Sequence, residues 1–554
     1  MATTRPRAWL RARREMLALG VIVLLAAGVR LFWALQPRVV WGDEPFYLWL
    51  GQSLLSGQGY QFFGLSGVHA SPLLALLAAG IGRVAALFGA TGPAALASGT
   101  VTLYIVCGAA LVAPLSAIAW RMYGFVPALF TALVTAFYPA LTGGVLLWGT
   151  MTEPLYLLLL AAGWWALLVA LEEGRLGAYA MAGAFLGLAY LTRTEAIVYL
   201  MAGPLVGLVL YWVFGCKRTA SAWVGVGALA AVFFAVISPY LIVLYEKTGV
   251  WQIVEEAGST YVSAQGLALG SLKSFDAATW GLDPATGEVY YFSETSEQEG
   301  LLDAIKADPA TFVRLLHTNL SDLERILISL RLLPWPFLAV IGLGLFARPW
   351  DGPRLRRELF LAASLVGIFS FLPFFIQDRY LATALIPALI WIGAGLAALS
   401  AWLAESFRAV FARPARGWAA ALLVGVLCVA VLLVQTRQLR RVLSVTQSWQ
   451  PGHVAAADVL HEIGVTPQTV IMSRYPAIAF HSGAAWTPTP AASWEEVLVY
   501  ARAKGAQYLV MDEREAQWRP QLAFLLDPQQ APPELRYITT LGDEPRKVII
   551  YAFR

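Results

Sequence analysis

Long apolar runs separated by short polar turns dominate the first 435 residues of the chain. A helix needs roughly 20 apolar residues to cross the hydrocarbon core of a bilayer, and fewer where helices are broken or buried against one another. The pattern therefore predicts a polytopic α-helical membrane protein with about eleven transmembrane helices. The predicted spans are 17–36, 95–117, 125–144, 150–170, 177–192, 196–214, 221–244, 334–347, 359–376, 381–403 and 418–435.

The tail after the last apolar run has a different pattern, in which short helical and strand periodicities alternate. We therefore expect a transmembrane domain at residues 1–435, with long outer loops at 37–94 and 246–333, and a small α/β domain at 436–554. In the tail the pattern predicts helices at Val454–Ile463 and Trp494–Lys504, strands at Thr469–Met472 and Gln507–Met511, and a hairpin of Tyr537–Leu541 with Lys547–Phe553.

The composition agrees with a membrane protein. Hydrophobic residues make up 58% of the 554 residues and charged residues only 13%, whereas roughly a quarter of a soluble chain is charged. The formal net charge of +4 is too small to indicate nucleic acid as a partner. The cysteines Cys107, Cys216 and Cys428 are too scattered for a disulfide framework or a metal site. We expect no metal and no other cofactor.

The basic residues predict the orientation, because cytoplasmic loops are enriched in Lys and Arg. Met1–Arg14 contains five arginines, and further basic residues recur at alternate connections between the spans. We therefore expect a cytoplasmic N-terminus, with both long loops and the tail on the extracytoplasmic face. The recurring residues are Arg121, Arg175, Lys217, Arg218, Arg348, Arg354, Arg356, Arg357, Arg408, Arg413 and Arg416.

Ionisable residues at the outer ends of the spans form the candidate site, since such residues are costly to place near a membrane. Acids that accept a proton, beside cations that hold a phosphate, suit transfer from a phosphorylated lipid to a hydroxyl acceptor. The acids are Asp43, Glu44 and Glu153, and the possible anion binders are His69, Arg193, Lys247 and Arg379.

Each of these residues also has a purely structural interpretation. Asp43 can cap a short interfacial helix whose dipole Glu44 favours. Arg193 can pair locally with Glu195 or Glu153, and Arg379 can extend towards lipid headgroups. His69, just before Ser71 and Pro72, suits a structural role where a helix begins. The spacing of the residues leaves these alternatives open.

Four motifs in this order resemble a known family. Gly42–Tyr47, followed by Leu55–Tyr60, resembles the first-loop Asp-Glu motif of bacterial GT-C glycosyltransferases, which use polyprenyl-phosphate sugars and include relatives of protein O-mannosyltransferases and lipid A aminoarabinose transferases. His69–Leu73, Gly187–Glu195 and Asp378–Leu381 resemble three further elements of that family. Ser71 departs from the pattern, since it replaces the first of two family prolines, and some members have a lysine where His69 stands.

The resemblance implies a GT-C-like fold in a bacterial inner or plasma membrane, and a reaction. Asp43 would deprotonate the acceptor hydroxyl, which attacks the anomeric carbon with inversion, and Glu44 would shape the site. Arg193 and Arg379 would hold the polyprenyl-phosphate leaving group. The other residues expected to bind substrate are Tyr47, His69, Glu153, Glu195, Lys247 and Tyr380. The acceptor, which is a lipid, a glycan or a protein, stays open, as does a hexosyl or pentosyl donor.

Two other functions fit a polytopic chain. A transporter or flippase of lipid-linked glycans would show matched halves and charges at the membrane midplane. The sequence shows no internal repeat, and its charges lie at one interface. An outward sensor or scaffold would not require eleven spans. The glycosyltransferase is therefore the leading hypothesis, with the transporter as its alternative.

Overall fold

The computed structural model describes residues 5–143, 148–213, 219–254, 257–268, 271–411 and 417–554. The predicted cytoplasmic residues Lys217, Arg218, Arg413 and Arg416, and Cys216, lie outside these ranges. The first helices are α1 (Arg5–Ala34), α2 (Glu44–Leu55), α3 (Pro72–Leu87), α4 (Gly92–Ala110), α5 (Val112–Tyr123), α6 (Phe125–Phe137), α7 (Pro139–Thr142), α8 (Glu153–Glu173), α9 (Leu176–Tyr190), α10 (Ala196–Val213) and α11 (Thr219–Thr248). A two-stranded hairpin, β1 (Gln61–Phe62) with β2 (Leu65–Ser66), follows α2.

The second half of the chain is also mainly helical until its last hundred residues. The helices are α12 (Ala257–Ala268), α13 (Leu272–Trp280), α14 (Glu294–Gln298), α15 (Leu301–Ala307), α16 (Pro309–Leu327), α17 (Pro336–Phe346), α18 (Gly352–Ala363), α19 (Val366–Phe369), α20 (Leu385–Phe411), α21 (Gly417–Thr446), α22 (Gln450–Glu462), α23 (Pro476–Ser482), α24 (Trp494–Ala503) and α25 (Glu513–Trp518). The strands are β3 (Val470–Met472), β4 (Ala485–Thr487), β5 (Ala506–Asp512), β6 (Leu535–Leu541) and β7 (Val548–Phe553).

Six helical stretches in the described chain are long and apolar enough to cross a bilayer, as expected of a multi-pass membrane protein. The predicted number of eleven is not confirmed, because several apolar runs form shorter helices. The run at 359–376 is divided between α18 and α19, and Pro373, which has no backbone N–H to donate, lies in the irregular segment that follows. The six stretches are Arg13–Ala34, Gly92–Tyr123, Glu153–Glu173, Ala222–Thr248, Tyr380–Phe411 and Gly417–Thr446.

Two helices form the centre of the bundle and three lie at its edge. Protein surrounds α8 and α20 almost completely, whereas α1, α11 and α21 expose most of their apolar surface. The 21 residues of α8 span about 31 Å, close to the thickness of a hydrocarbon core. The two ends of α8 therefore mark two opposite ends of the bundle.

Close packing of the first loop fixes the position of Asp43. Gly42 adopts a φ of +61°, and a Cβ there would lie 2.8 Å from Cε of Met151. At Gly51, in the middle of α2, a Cβ would lie 2.1 Å from the carbonyl oxygen of Ala75 in α3. Only glycine permits both this turn and this helix contact, so α2 begins at one fixed place against its neighbours.

The C-terminal residues form the predicted α/β arrangement. The five-stranded sheet has the order β4-β3-β5-β7-β6, in which β3 runs parallel to β4 and β5, and β7 runs antiparallel to β5 and β6. The predicted tail helices correspond to α22 and α24, and the predicted strands and hairpin to β3, β5, β6 and β7. Helix α21 continues to Thr446, past the predicted boundary at residue 435. That boundary stays a prediction.

The second long loop packs against this C-terminal sheet through buried charges. Asp276 of α13, fully buried, accepts hydrogen bonds from Arg474 at 2.6 Å and from Arg519 at 2.7 Å. The backbone N–H of Ala491 donates to the carbonyl of Trp280 at 2.7 Å. The loop is therefore held between the helical bundle and the C-terminal residues.

Candidate active site

A cavity of about 420 Å³ lies where the first loop, the α9–α10 turn, the second loop and the segment before α20 meet. Because these four elements are far apart in sequence, only the folded chain brings their side chains together. Seven of the ten predicted site residues line the cavity: Asp43, Tyr47, His69, Arg193, Glu195, Arg379 and Tyr380.

Asp43 presents its carboxylate to the cavity. It occupies the N-cap position of α2, yet its side chain makes no capping hydrogen bond. Oδ2 instead accepts a 3.1 Å hydrogen bond from Nη1 of Arg379, and half of the side chain remains exposed. The capping interpretation is therefore wrong for the carboxylate, whose exposed half is accessible from the cavity.

Glu153 lies behind the cavity wall and joins the two arginines. Its Oε1 is 2.9 Å from Nη1 of Arg193 and 3.0 Å from Nε of Arg379, and only 2% of its side chain is exposed. Nη2 of Arg193 also donates to Glu195 at 2.7 Å. The local pairing considered for Arg193 is confirmed with both acids, whereas Arg379 extends into this cluster and not towards headgroups.

The two guanidiniums keep their positive charges despite burial. Burial opposes the charge of each, but Glu195 and Glu153 raise the pKa of Arg193, and Glu153, Tyr380 and Asp43 raise the pKa of Arg379. Both cations also lie against the ring of Tyr380, at 5.0 and 5.4 Å from its centroid. The arrangement places two charged guanidiniums against one aromatic ring at the base of the cavity, each held in place by carboxylates.

Glu44 does not line the cavity, which changes the role expected of it. Its buried carboxylate accepts hydrogen bonds from Arg38 at 2.9 and 3.1 Å, from Thr100 at 2.5 Å and from Thr150 at 2.9 Å. With four hydrogen bonds from other side chains, this carboxylate has little capacity left to bind a substrate. Glu44 therefore ties the start of α2 to the bundle, so it shapes the site from outside.

His69 and Lys247 do not provide the positive charge that the sequence suggested. The ring of His69 stacks on Tyr291 at 4.6 Å, and burial lowers its pKa to about 4, so the imidazole is neutral near pH 7. Lys247 is exposed at the end of α11, outside the cavity, where its charge acts on Glu297. Arg193 and Arg379 remain as the cations of the cavity.

Aromatic residues that the sequence did not point to line much of the cavity. Trp280, Tyr290 and Tyr291 come from the second loop, and Phe371, Phe374 and Phe375 come from the segment before α20. The Tyr290-Tyr291-Phe292 run was a sequence signal for aromatic residues in the loop, but no periodicity indicated which side chains would line a cavity. Flat apolar rings together with charged groups form a pocket suited to an amphiphilic ligand.

Within the described residues, no three or more His, Cys, Asp or Glu side chains form a group that could hold a metal ion. Glu153, Glu195 and Asp43 are engaged with arginines, which leaves little ligand capacity for a cation. Independence from metal stays a prediction.

Comparison with known proteins gives one sequence match and several similar folds. Residues 71–243 match the family described as dolichyl-phosphate-mannose-protein mannosyltransferase. No curated protein matches the chain by sequence. The fold is similar to that of the archaeal oligosaccharyltransferase AglB from Archaeoglobus fulgidus, in complex with an inhibitory peptide and a dolichol-phosphate. The TM-score is 0.56 and the identity 12%, covering 92% of this chain and 70% of that chain.

A second similar fold is that of ArnT from Cupriavidus metallidurans bound to undecaprenyl phosphate. The TM-score is 0.52 and the identity 16%, covering 96% of this chain and 98% of that chain. At these identities the likeness concerns the fold. The chain thus matches the dolichyl-phosphate-mannose-protein mannosyltransferases over residues 71–243 and has the fold of GT-C membrane glycosyltransferases, as its outer-turn motifs indicated.

Proposed function

We propose that this protein is a membrane glycosyltransferase that transfers a sugar from a polyprenyl-phosphate donor to a hydroxyl acceptor. The observation that carries this proposal is the hydrogen bond between the half-exposed Asp43 and Arg379 in one cavity. A carboxylate that can accept a proton lies directly beside a cation that can hold a phosphate. Transfer from a lipid phosphate to a hydroxyl needs these two groups at adjacent positions.

Asp43 acts as the general base. Its exposed carboxylate takes the proton of the acceptor hydroxyl while the oxygen forms a bond to the anomeric carbon of the donor sugar. The bond between that carbon and the phosphate oxygen breaks at the same time. Attack from the face opposite the phosphate inverts the anomeric configuration, and the products are the glycosylated acceptor and a polyprenyl phosphate.

Arg379 makes the direct contact with the phosphate. Nη1 and Nε are directed at Asp43 and Glu153, and no described residue accepts a hydrogen bond from Nη2. Arg193, by contrast, already donates to Thr152, Glu153 and Glu195. Arg193 therefore holds Glu153 in position, and Arg379 has a donor left for charge that develops on the leaving oxygen.

The aromatic wall receives the rest of the substrates. Trp280 and Tyr291 stack at 5.8 Å and line the same cavity as Asp43 and Arg379. Rings of this kind pack against the apolar faces of sugars and exclude water from the reacting atoms. Tyr47, Glu195 and Tyr380, on the same wall as the cations, contact the sugar or the phosphate.

The site lies on the extracytoplasmic face of a bacterial inner or plasma membrane. This placement rests on the basic residues at the far end of the bundle, where Arg121 and Arg357 pair with Glu172 at the C-terminal end of α8. A lipid-linked donor reaches such a site from the bilayer. The acceptor, which is a lipid, a glycan or a protein, enters past the second loop.

Turnover by the purified full-length protein with radiolabelled polyprenyl-phosphate hexoses and pentoses tests the proposal. We expect Asp43→Asn to lower kcat by about 10²–10⁴-fold, the usual contribution of a general base. Asp322→Asn, at a partly exposed aspartate of α16 that pairs with Arg325 and does not line the cavity, is the matched control. Turnover of Asp43→Asn equal to that of the control would contradict the base assignment. Retention of configuration in the product would contradict the inverting step.

A further inference from the structure

A second, larger cavity lies at the end of the bundle opposite the candidate active site. It has a volume of about 1450 Å³, and Arg357 at its mouth donates to Glu172 at 2.7 Å. Glu172 is near the C-terminal end of α8, about 28 Å along the axis from Glu153 at the other end. This separation matches the thickness of a hydrocarbon core, so the cavity opens at the other membrane interface.

The walls of this cavity are apolar helices with small side chains. Ala394, Ala397 and Ala401 share one face of α20, and α6 and α21 contribute Phe130, Leu133 and other apolar residues. Because these side chains are small, a space remains between the helices that larger side chains would fill. The volume exceeds the 300–1,000 Å³ usual for small-molecule pockets, and the apolar walls suit acyl chains.

Three arginines and one acid line the mouth of the cavity: Arg348, Arg354, Arg357 and Asp351. The carboxylate of Asp351 caps α18 by accepting from the backbone N–H of Arg354 at 2.7 Å. The guanidinium of Arg354 caps α17, donating to the carbonyls of Gly344 and Leu345 at 3.0 Å each, and pairs with Glu358 at 3.3 Å. Arg357 pairs with Glu172 at 2.7 Å, so two of the three arginines already have an acid partner.

Arg348 is different from its neighbours. It is exposed between α17 and α18, and among the described residues no acid pairs with it. The positive charge of Arg348 therefore lies at the level of the lipid headgroups, next to the apolar cavity, and has no acid partner in the described part of the chain. A ligand with an anionic head and apolar chains would complement both parts.

We propose that this cavity binds one anionic phospholipid, with its acyl chains between α6, α20 and α21 and its phosphate at Arg348 and Arg357. An uncharged or zwitterionic lipid would fill the apolar space equally well, but it would bring no net negative charge to Arg348. The site is independent of the catalytic cavity, since no residue lines both.

Binding of phosphatidylglycerol and phosphatidylcholine with identical chains, counted by native mass spectrometry on the full-length protein, tests the proposal. One surface arginine contributes about a fivefold preference for anionic lipid. We expect phosphatidylglycerol to bind at least fivefold more tightly, and Arg348→Gln to lose about fivefold. Arg408→Gln, an exposed arginine of the same helical end that does not line the cavity, should change nothing.

A cavity-filling variant separates this site from ordinary lipid contact. Ala401 lines the cavity and is exposed, so Ala401→Phe can enter the space without disturbing the core. We expect it to reduce phosphatidylglycerol binding, whereas Ala409→Phe, exposed on the same helix outside the cavity, should not. Equal affinity for the two lipids, equal effects of the two arginine variants, or an unaffected Ala401→Phe would each overturn the proposal.

Discussion

Arg379 holds Asp43 through a 3.1 Å hydrogen bond that joins residues 336 positions apart in the chain. Through Nε the same guanidinium is 3.0 Å from Glu153, and Glu153 is in turn 2.9 Å from Arg193. The proposed base and the proposed phosphate ligand are therefore parts of one network. Because Nη2 is the donor proposed for the phosphate, a bound donor would leave the contact of Nη1 with Asp43 in place and bring the base and the phosphate together on one guanidinium.

This network predicts different effects for the two arginines. Arg379→Lys removes the planar donor group that contacts both Asp43 and the phosphate, so we expect the donor KM to rise and kcat to fall together. Arg193→Lys leaves the direct phosphate contact in place, and its main effect should be on kcat, because Glu153 and through it Arg379 would be held less firmly. Steady-state kinetics with the donor and the acceptor varied separately measure both. An unchanged donor KM in Arg379→Lys would contradict the direct contact.

Glu153→Gln leaves two buried guanidiniums without their shared anion. Removing one partner of a buried ion pair costs about 3–5 kcal/mol, so we expect a markedly lower unfolding temperature. Added polyprenyl phosphate should restore part of the loss, because its phosphate supplies the missing negative charge.

Glu172→Gln is the matched control at the other end of α8. Glu172 also pairs with two arginines, Arg121 and Arg357, but about a quarter of its side chain is exposed. We expect a smaller loss of thermal stability, of which polyprenyl phosphate restores a smaller share than in Glu153→Gln. Equal rescue of both variants would mean that the lipid acts on the bundle as a whole.

The sequence was sufficient to identify the charged residues of the cavity and the acid partners of Arg193, but not the pairing of Asp43 with Arg379. Asp43, Arg193 and Arg379 stood out because charge near a membrane is costly. Nothing in the chain distinguished Asp43 from Glu44, adjacent acids whose side chains leave α2 in different directions. Arg38 and Thr100 donate hydrogen bonds to the carboxylate of Glu44. No sequence pattern marks either residue as its partner.

The fold was predictable to a similar degree. The lengths of the apolar runs predicted a helical membrane protein and most of its helices. The short strand-like patterns of the tail predicted β3, β5 and the β6–β7 hairpin. The number of spans was not predictable in this way, because tertiary packing allows α17 and α19 to be shorter than a bilayer crossing. The aromatic residues around Trp280 reach the cavity because the second loop folds back onto it. No hydrophobic periodicity in the sequence of the loop predicts that fold.

His69 should not contribute to the pH dependence of turnover near neutrality. Burial lowers its pKa to about 4, so the imidazole stays neutral from pH 5.5 to 8 and no proton is gained or lost there. We therefore expect profiles of kcat/KM for the wild type and His69→Gln to have the same shape over this range, even if the variant is slower. Loss of an inflection near pH 6 in His69→Gln would show that the residue titrates with substrate bound.

Glu515 predicts a pH-dependent stability in the C-terminal α/β region. Burial raises its pKa to about 7, although Arg519 opposes the change, whereas an unfolded glutamate titrates near 4.3. Between about pH 4.3 and 7 the folded state thus binds more protons than the unfolded state, and stability falls as the pH rises. The full contribution is present below about pH 4.3 and is lost once the pH passes 7.

Glu515→Gln cannot ionise and retains an acceptor for Arg519 at the same position. We expect the variant to lose less stability than the wild type between pH 5 and pH 8, by up to about 3 kcal/mol. Thermal unfolding of the full-length protein at both pH values measures this difference. Glu495→Gln, at an exposed glutamate of α24, is the control and should follow the wild type. Parallel pH dependence in the wild type and Glu515→Gln would mean that Glu515 is ionised throughout, held by Arg519 and Arg474 more strongly than burial opposes its charge.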